Sequence, residues 1–141
     1  MIAIVVAIAI FIADRLAKTW AATHLVLGAS VPVLPLLDWT LVENRGAAFG
    51  LLSGATAVLI LVALAAIVGL IALLRRQPSI AVQLGVGGVL GGALGNLYDR
   101  LLQHSVIDFI DVRLWPYVFN VADIGITLGA ILLVVALWRQ S

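Results

Sequence analysis

The stretch "VIDFIDVRLWPYVFNVADIG", residues 106 to 125, sets Asp108, Asp111 and Asp123 among isoleucine, valine, phenylalanine and leucine. Even the lower estimates charge about 3 kcal/mol for a carboxylate held near hydrocarbon, so acids in such surroundings point to a functional site. Two facing carboxylates form a hydrolytic device: one, ionised, activates a water, while the other, kept protonated by its neighbour's charge, donates to the carbonyl oxygen. Pro116 breaks any helix between Asp108 and Asp123, so the chain can turn and bring the two together. Asp111 follows Asp108 by three residues and would share its face in a helix, which leaves an Asp111 and Asp123 pair open. The competing reading is three solvated acids at a membrane edge.

Other polar residues fall at helical spacings. In "LGVGGVLGGALGNLYDR", Gly88, Gly92 and Asn96 are four apart, as are Gly87, Gly91 and Gly95. Small residues at this spacing let membrane helices approach closely. Asn96 and Arg100 prolong one strip with an amide and a guanidinium, which packing does not require; they suit a polar pocket or a lipid head group. Asp99, next to Arg100, reads as an ion-pair partner. Asp14 and Lys18 have the i, i+4 spacing of a helix ion pair. "ENRGAAFG", residues 43 to 50, reads as a turn, and His24 and His104 as solvated loop residues. Ser53 in "GLLSGA" does not fit the G-x-S-x-G elbow, which argues against a serine hydrolase.

These residues must be held by membrane elements. The chain of 141 residues is 64% hydrophobic and 11% charged, with mean hydropathy +1.22. Soluble domains carry roughly 25% charged residues. The net charge of +1 offers no basic field for nucleic acid, and with no cysteine there is no disulfide, thiolate nucleophile or Cys-ligated metal. About 20 apolar residues cross a bilayer. Four stretches qualify, at about 1–20, 55–74, 80–98 and 121–138, the first being a retained helix because it lacks the basic start and cleavage site of a signal peptide. The fold expected is an all-α membrane protein of four transmembrane helices in one domain, 1–141. Its extracytoplasmic segments, about 21–54 and 99–120, include a small β platform whose "DWTLVEN" alternates as a strand does. The acid-free turn bearing Arg75 and Arg76, with Arg139 on the same side, puts both termini in the cytoplasm.

Taken together, "DRLAK" (14–18), "ENRGAAFG" (43–50), "GGALGNLYDR" (91–100), "VIDFI" (106–110) and "FNVADIGI" (119–126) resemble the prolipoprotein signal peptidases, the signal peptidase II family. The resemblance covers essentially the whole chain. It implies an aspartic endopeptidase of the bacterial inner membrane that cuts prolipoproteins just before the diacylglyceryl-modified cysteine. The implied dyad is Asp108 and Asp123, with Asp111 outside the matching blocks. Asn96 and Arg100 match positions for substrate lipid and backbone contacts; Asn44, Asn120, Asp14, Lys18 and Asp99 match positions that shape the site. No metal or cofactor is implied, and inhibition by globomycin-type cyclic peptides is. The runner-up is a small transporter relaying protons or cations through Asp108 and Asp123, which calls for polar residues deep in the second and fourth spans; they have almost none.

Overall fold

The computed structural model describes residues 1–46, 56–76 and 78–139. In chain order the elements are α1 (Ile2–His24), β1 (Ser30–Leu34), β2 (Leu37–Asn44), α2 (Thr56–Leu74), α3 (Ile80–Gln103), β3 (Val106–Val112), β4 (Val118–Phe119) and α4 (Val121–Trp138). The described residues thus form a mostly helical protein with one small antiparallel sheet. Three helices, α2, α3 and α4, are long and apolar enough to cross a membrane. The uncharged α2 has mean hydropathy 3.2 and buries no residue within the protein, as a helix facing hydrocarbon should. The first expected span is a 23-residue helix carrying Asp14, Arg15 and Lys18 in its second half. Both α1 and α3 run past their expected ends, at Trp20 and Tyr98, because "AATH" and "DRLLQ" contain nothing that stops a helix. The second half of "ENRGAAFG", Ser53 and the first residue of the second expected span lie outside the described residues.

The centre of the bundle is α3, and its two glycine strips serve two different neighbours. Gly87, Gly91 and Gly95 meet α1, whereas Gly85, Gly88 and Gly92 meet α4. A methyl group on Gly91 would lie 2.6 Å from the carbonyl oxygen of Ala7, and one on Gly88 2.9 Å from Cα of Gly129. Contacts this close let dispersion between backbones hold the helices where lipid gives little hydrophobic drive for association. Ala3 meets Gly87, Ala7 meets Gly91 and Asp14 meets Gly95, so α1 runs parallel to α3. On the other flank Gly85 meets Leu133 and Gly92 meets Ala122, so α4 is antiparallel. Val82, Val86 and Leu90 pack with Ala3, Ala7 and Ala136 between them, and Ile67 and Leu70 bring α2 against this core.

The sheet has the order β1-β2-β3-β4, each neighbour antiparallel. The expected strand in "DWTLVEN" is β2, whereas β1, β3 and the short β4 are strands the sequence reading did not name. A register shift between Trp39 and Val42 puts one extra residue in β2 opposite β3. Beside it Leu41 and Phe109 pack on Ala21 of α1, and Trp20 stands edge-on to both Trp39 and Phe109. The sheet is therefore seated on the last turns of α1, next to the end of α3 from which β3 departs.

Candidate active site

Asp108 lies in β3, a strand, and this decides its relation to Asp111. Residues three apart in a strand face opposite ways. Asp111 stands across the sheet from Asp38 and accepts a hydrogen bond from Thr40 Oγ1 at 2.8 Å. Asp38 in turn receives a fork from Arg113, at 2.8 and 3.0 Å, which holds its carboxyl below the usual carboxylate range. Asp111 thus belongs to a polar cluster on the other face of the sheet.

The Asp108 side chain instead points into the junction of sheet and bundle, where only 3% of its surface is exposed. One carboxylate oxygen accepts from Asn120 Nδ2 at 2.6 Å and the other from Asn44 Nδ2 at 3.0 Å. Asn44 reaches it diagonally, since Asn44 is paired with Val106 and Asp108 with Val42 on the same face of β2 and β3. Burial is the largest influence on the Asp108 carboxyl and pushes it up to about 7; the charge of Asp123 adds to the rise, while the bonds from Asn44 and Asn120 and the charge of Lys18 oppose it.

Asp123 arrives through a helix cap. Asn120 is the N-cap of α4: its side-chain oxygen accepts from the Asp123 N–H at 2.9 Å, and its own N–H donates to Asp123 Oδ2 at 3.2 Å. This reciprocal arrangement is a capping box with aspartate in the place usually taken by Glu or Gln. Asn120 therefore bonds to both Asp108 and Asp123. The remaining Asp123 oxygen accepts from Asn96 Nδ2 at 2.8 Å.

Behind Asn96 lies a buried ionic cluster between α1 and α3. The Lys18 ammonium, 1% exposed, donates to Asp14 at 2.9 Å, Asp99 at 2.8 Å and Asn96 Oδ1 at 2.9 Å. An ammonium has three donors, and all three are used. Arg15 adds contacts to Asp99 at 2.5 Å and Asp14 at 2.9 Å, and its guanidinium lies 4.8 Å above the centre of the Tyr98 ring. Two cations thus face two carboxylates, as burial of charge requires. Asp14 also accepts from the backbone N–H of Ala122 at 2.9 Å, and Asp99 from that of Ile107 at 3.4 Å, so the cluster pins both the start of α4 and the start of β3.

A family model described as signal peptidase (SPase) II matches residues 6–139. The chain belongs to the signal peptidase II family. Among the relatives of this family member, the lipoprotein signal peptidase of Halothermothrix orenii is 39% identical over 143 residues, covering 100% of this chain and 97% of that protein. That of Desulfitobacterium hafniense (strain DSM 10664 / DCB-2) is 41% identical over 131 residues, covering 91% and 87%. That of Mycobacterium leprae is 44% identical over 129 residues, 86% of this chain, which spans 64% of the length of that protein. A bacterial membrane enzyme solved by the in meso method superposes with TM-score 0.90 at 33% identity, covering 97% of this chain and 87% of the other. A second superposes with TM-score 0.88 at 32% identity, covering 99% and 94%.

In this signal peptidase II family member, Asn44, Asn96, Asp108, Asn120 and Asp123 meet in one hydrogen-bonded network, with Asp14, Lys18 and Asp99 behind it. The expected Asp14 and Lys18 pair is present. Asp99 is an ion-pair partner, but of Arg15 and Lys18; its neighbour Arg100 turns elsewhere, because consecutive residues of a helix stand about 100° apart. Arg100 NH1 bonds only weakly, at 3.4 Å, to the carbonyl of Asn96, and the charges of Asp123, Asp108 and Asp99 act on it, Asp123 most. Sequence reading passed over Arg15. The signal was present in the adjacency of Asp14 and Arg15, since a second cation must accompany two buried acids. His104 is exposed beyond the end of α3 as expected, whereas His24, also exposed, is the last residue of α1 and not a loop residue, its ring stacked on Trp20.

Proposed function

We propose that the protein is an aspartic endopeptidase that removes signal peptides from prolipoproteins immediately before the diacylglyceryl-modified cysteine, with Asp108 and Asp123 as its dyad. The observation that carries the reading is the bridging position of Asn120, which holds two carboxylates of unlike surroundings on one side chain and one backbone N–H. Asp123 sits in the first turn of α4, where the Asn120 N–H and the Asn96 amide hold its two oxygens. Asp108, buried in a strand, favours the acid.

Asp123 takes a proton from water as the oxygen adds to the scissile carbonyl carbon, and Asp108 gives its proton to the carbonyl oxygen. On collapse of the tetrahedral intermediate the C–N bond breaks, Asp123 passes its proton to the leaving nitrogen, and Asp108 recovers one from the hydroxyl that becomes the new carbonyl oxygen. The pair is thereby reset without a cofactor. Arg100, with charge to spare toward the pair, and Asn96 orient the substrate's backbone or lipid ester carbonyls.

The topology that fits this chemistry has four spans in a single domain, 1–141. The alignment of α1 along α3 supports α1 as a fourth span, since Ala3 to Lys18 follow Gly87 to Asp99 step by step. With Arg75, Arg76 and Arg139 cytoplasmic, both termini face the cytoplasm of a bacterial inner membrane. The sheet and dyad then lie at the extracytoplasmic edge, where a lipid-anchored cysteine presents its preceding bond. Globomycin-type cyclic peptides would occupy the same place. A transporter using Asp108 and Asp123 is unsupported: the relatives are peptidases.

The test is incubation of the purified protein, in nanodiscs, with a diacylglyceryl-modified precursor and its unmodified twin. Cleavage before the modified cysteine of the first only is expected; cleavage of neither, by protein that is folded, would refute the assignment.

A further inference from the structure

Both α1 and α2 pack along α3, and between them they leave a groove of about 1120 Å³. Ile4 and Ile8 of α1, Ile67 and Ile71 of α2, and Leu90 and Leu94 of α3 line it. It is separate from the dyad. At about 100° per residue, Leu94 stands on nearly the opposite side of α3 from Asn96. Arg75 contributes to one end of the groove, with Arg76 beside it in the turn after α2 and Arg139 capping α4 on the same side. Among the described residues neither Arg75 nor Arg76 has an ion pair. All seven acids of the chain lie in the far half of the bundle or on and around the sheet.

An apolar groove with the guanidinium of Arg75 at one end and that of Arg76 next in the chain, neither in an ion pair among the described residues, matches one class of molecule in a bilayer, an acyl chain carrying an anionic phosphate. Guanidinium forks fit phosphate oxygens, and basic pockets between membrane helices bind anionic head groups. We infer that the groove between α1 and α2 is a binding site for an anionic glycerophospholipid, its phosphate on Arg75 and Arg76 and an acyl chain along Leu94. The inference rests on these helices lying in the bilayer and is independent of the peptidase reading.

The test uses the full chain in detergent, with phosphatidylglycerol and phosphatidylcholine of identical acyl chains, read by native mass spectrometry and thermal unfolding. Selective retention of phosphatidylglycerol and a rise in Tm with that lipid alone are expected. Arg75→Ala with Arg76→Ala should lower its retention about tenfold or more while precursor cleavage continues, and Leu94→Trp should displace both lipids. Equal retention of the two lipids by the parent, or unchanged retention by the arginine variant, would overturn the site. An equal Tm rise with inorganic phosphate would reduce it to a phosphate contact without a lipid site. A Leu94→Trp protein with a raised KM for precursor and undiminished phosphatidylglycerol binding would give the groove to the substrate instead.

Discussion

Lys18 donates to Oδ1 of Asn96 at 2.9 Å, and with the Asn120 amide donating to the same oxygen at 3.2 Å it sets the direction of the amide. An ammonium cannot accept, so Oδ1 must face it and Nδ2 must turn to Asp123. Asn96→Asp would keep the oxygen for Lys18 but remove the donor from Asp123 and add a third acid; cleavage is expected to fall about a hundredfold with the fold retained. Lys18→Met would leave Asp14 and Asp99 with Arg15 alone. Removing one partner of a buried ionic set costs about 3–5 kcal/mol, so thermal unfolding in detergent should show a large loss of stability.

For the dyad itself, Asp108→Asn and Asp123→Asn are each expected to lower cleavage of lipidated precursor by at least about a thousandfold while leaving the protein folded. Asp111→Asn should retain most activity, because Asp111 bonds to Thr40 on the opposite sheet face. A rate assay on the three purified variants checks this. Loss in Asp111→Asn as deep as in the other two would mean that the wrong partner has been named.

The pH dependence follows from Asp108. Its folded carboxyl titrates at about 7, chiefly through burial, whereas an unfolded aspartate titrates near 3.9. The folded state therefore holds the proton more tightly. The associated stability is full below about pH 4 and is lost as pH rises to about 7. Relative to Asp108→Asn, the parent should weaken across that window in unfolding experiments. If Asp108 is the acid, kcat/KM should fall as pH passes about 7, in macroscopic steps shared with Asp123. The bond from Asn44 holds the Asp108 carboxyl down, so Asn44→Ala should carry the falling limb to higher pH.

A fourth expectation separates two glycines. A methyl group on Gly95 would lie 2.6 Å from Asp14 Oδ2, whereas one on Gly69 in α2 meets nothing within 4 Å. Gly95→Ala should displace the Asp14 carboxylate, destabilise the protein by about 1–3 kcal/mol and slow cleavage. Gly69→Ala should be neutral in both assays. Equal behaviour of the two variants would remove the steric argument.

What the sequence determined by itself was whatever depends on local spacing and composition. Long apolar runs marked α2, α3 and α4, uncharged over 55–74 and 80–98 and charged only by Asp123 at the very start of 121–138, since hydrocarbon disfavours charge along a stretch of that length. Glycines four apart marked both packing strips of α3, and alternation marked β2. The motif blocks carried the family and its list of residues. What only the tertiary structure decided was which polar atoms meet. Asp108 and Asp111 part company because their segment is a strand of period two, a choice that three aspartates in an apolar run leave open. Asp99 takes Arg15 and Lys18 in place of its neighbour Arg100, across 84 residues of chain in the case of Arg15. Lys18 meets Asn96 across 78 residues, and Asn44 meets Asp108 across 64. No local period sets such pairs. They form where the glycine strips let α1 and α4 close on α3, and where burial then obliges every charge and amide to find a partner from a distant part of the chain.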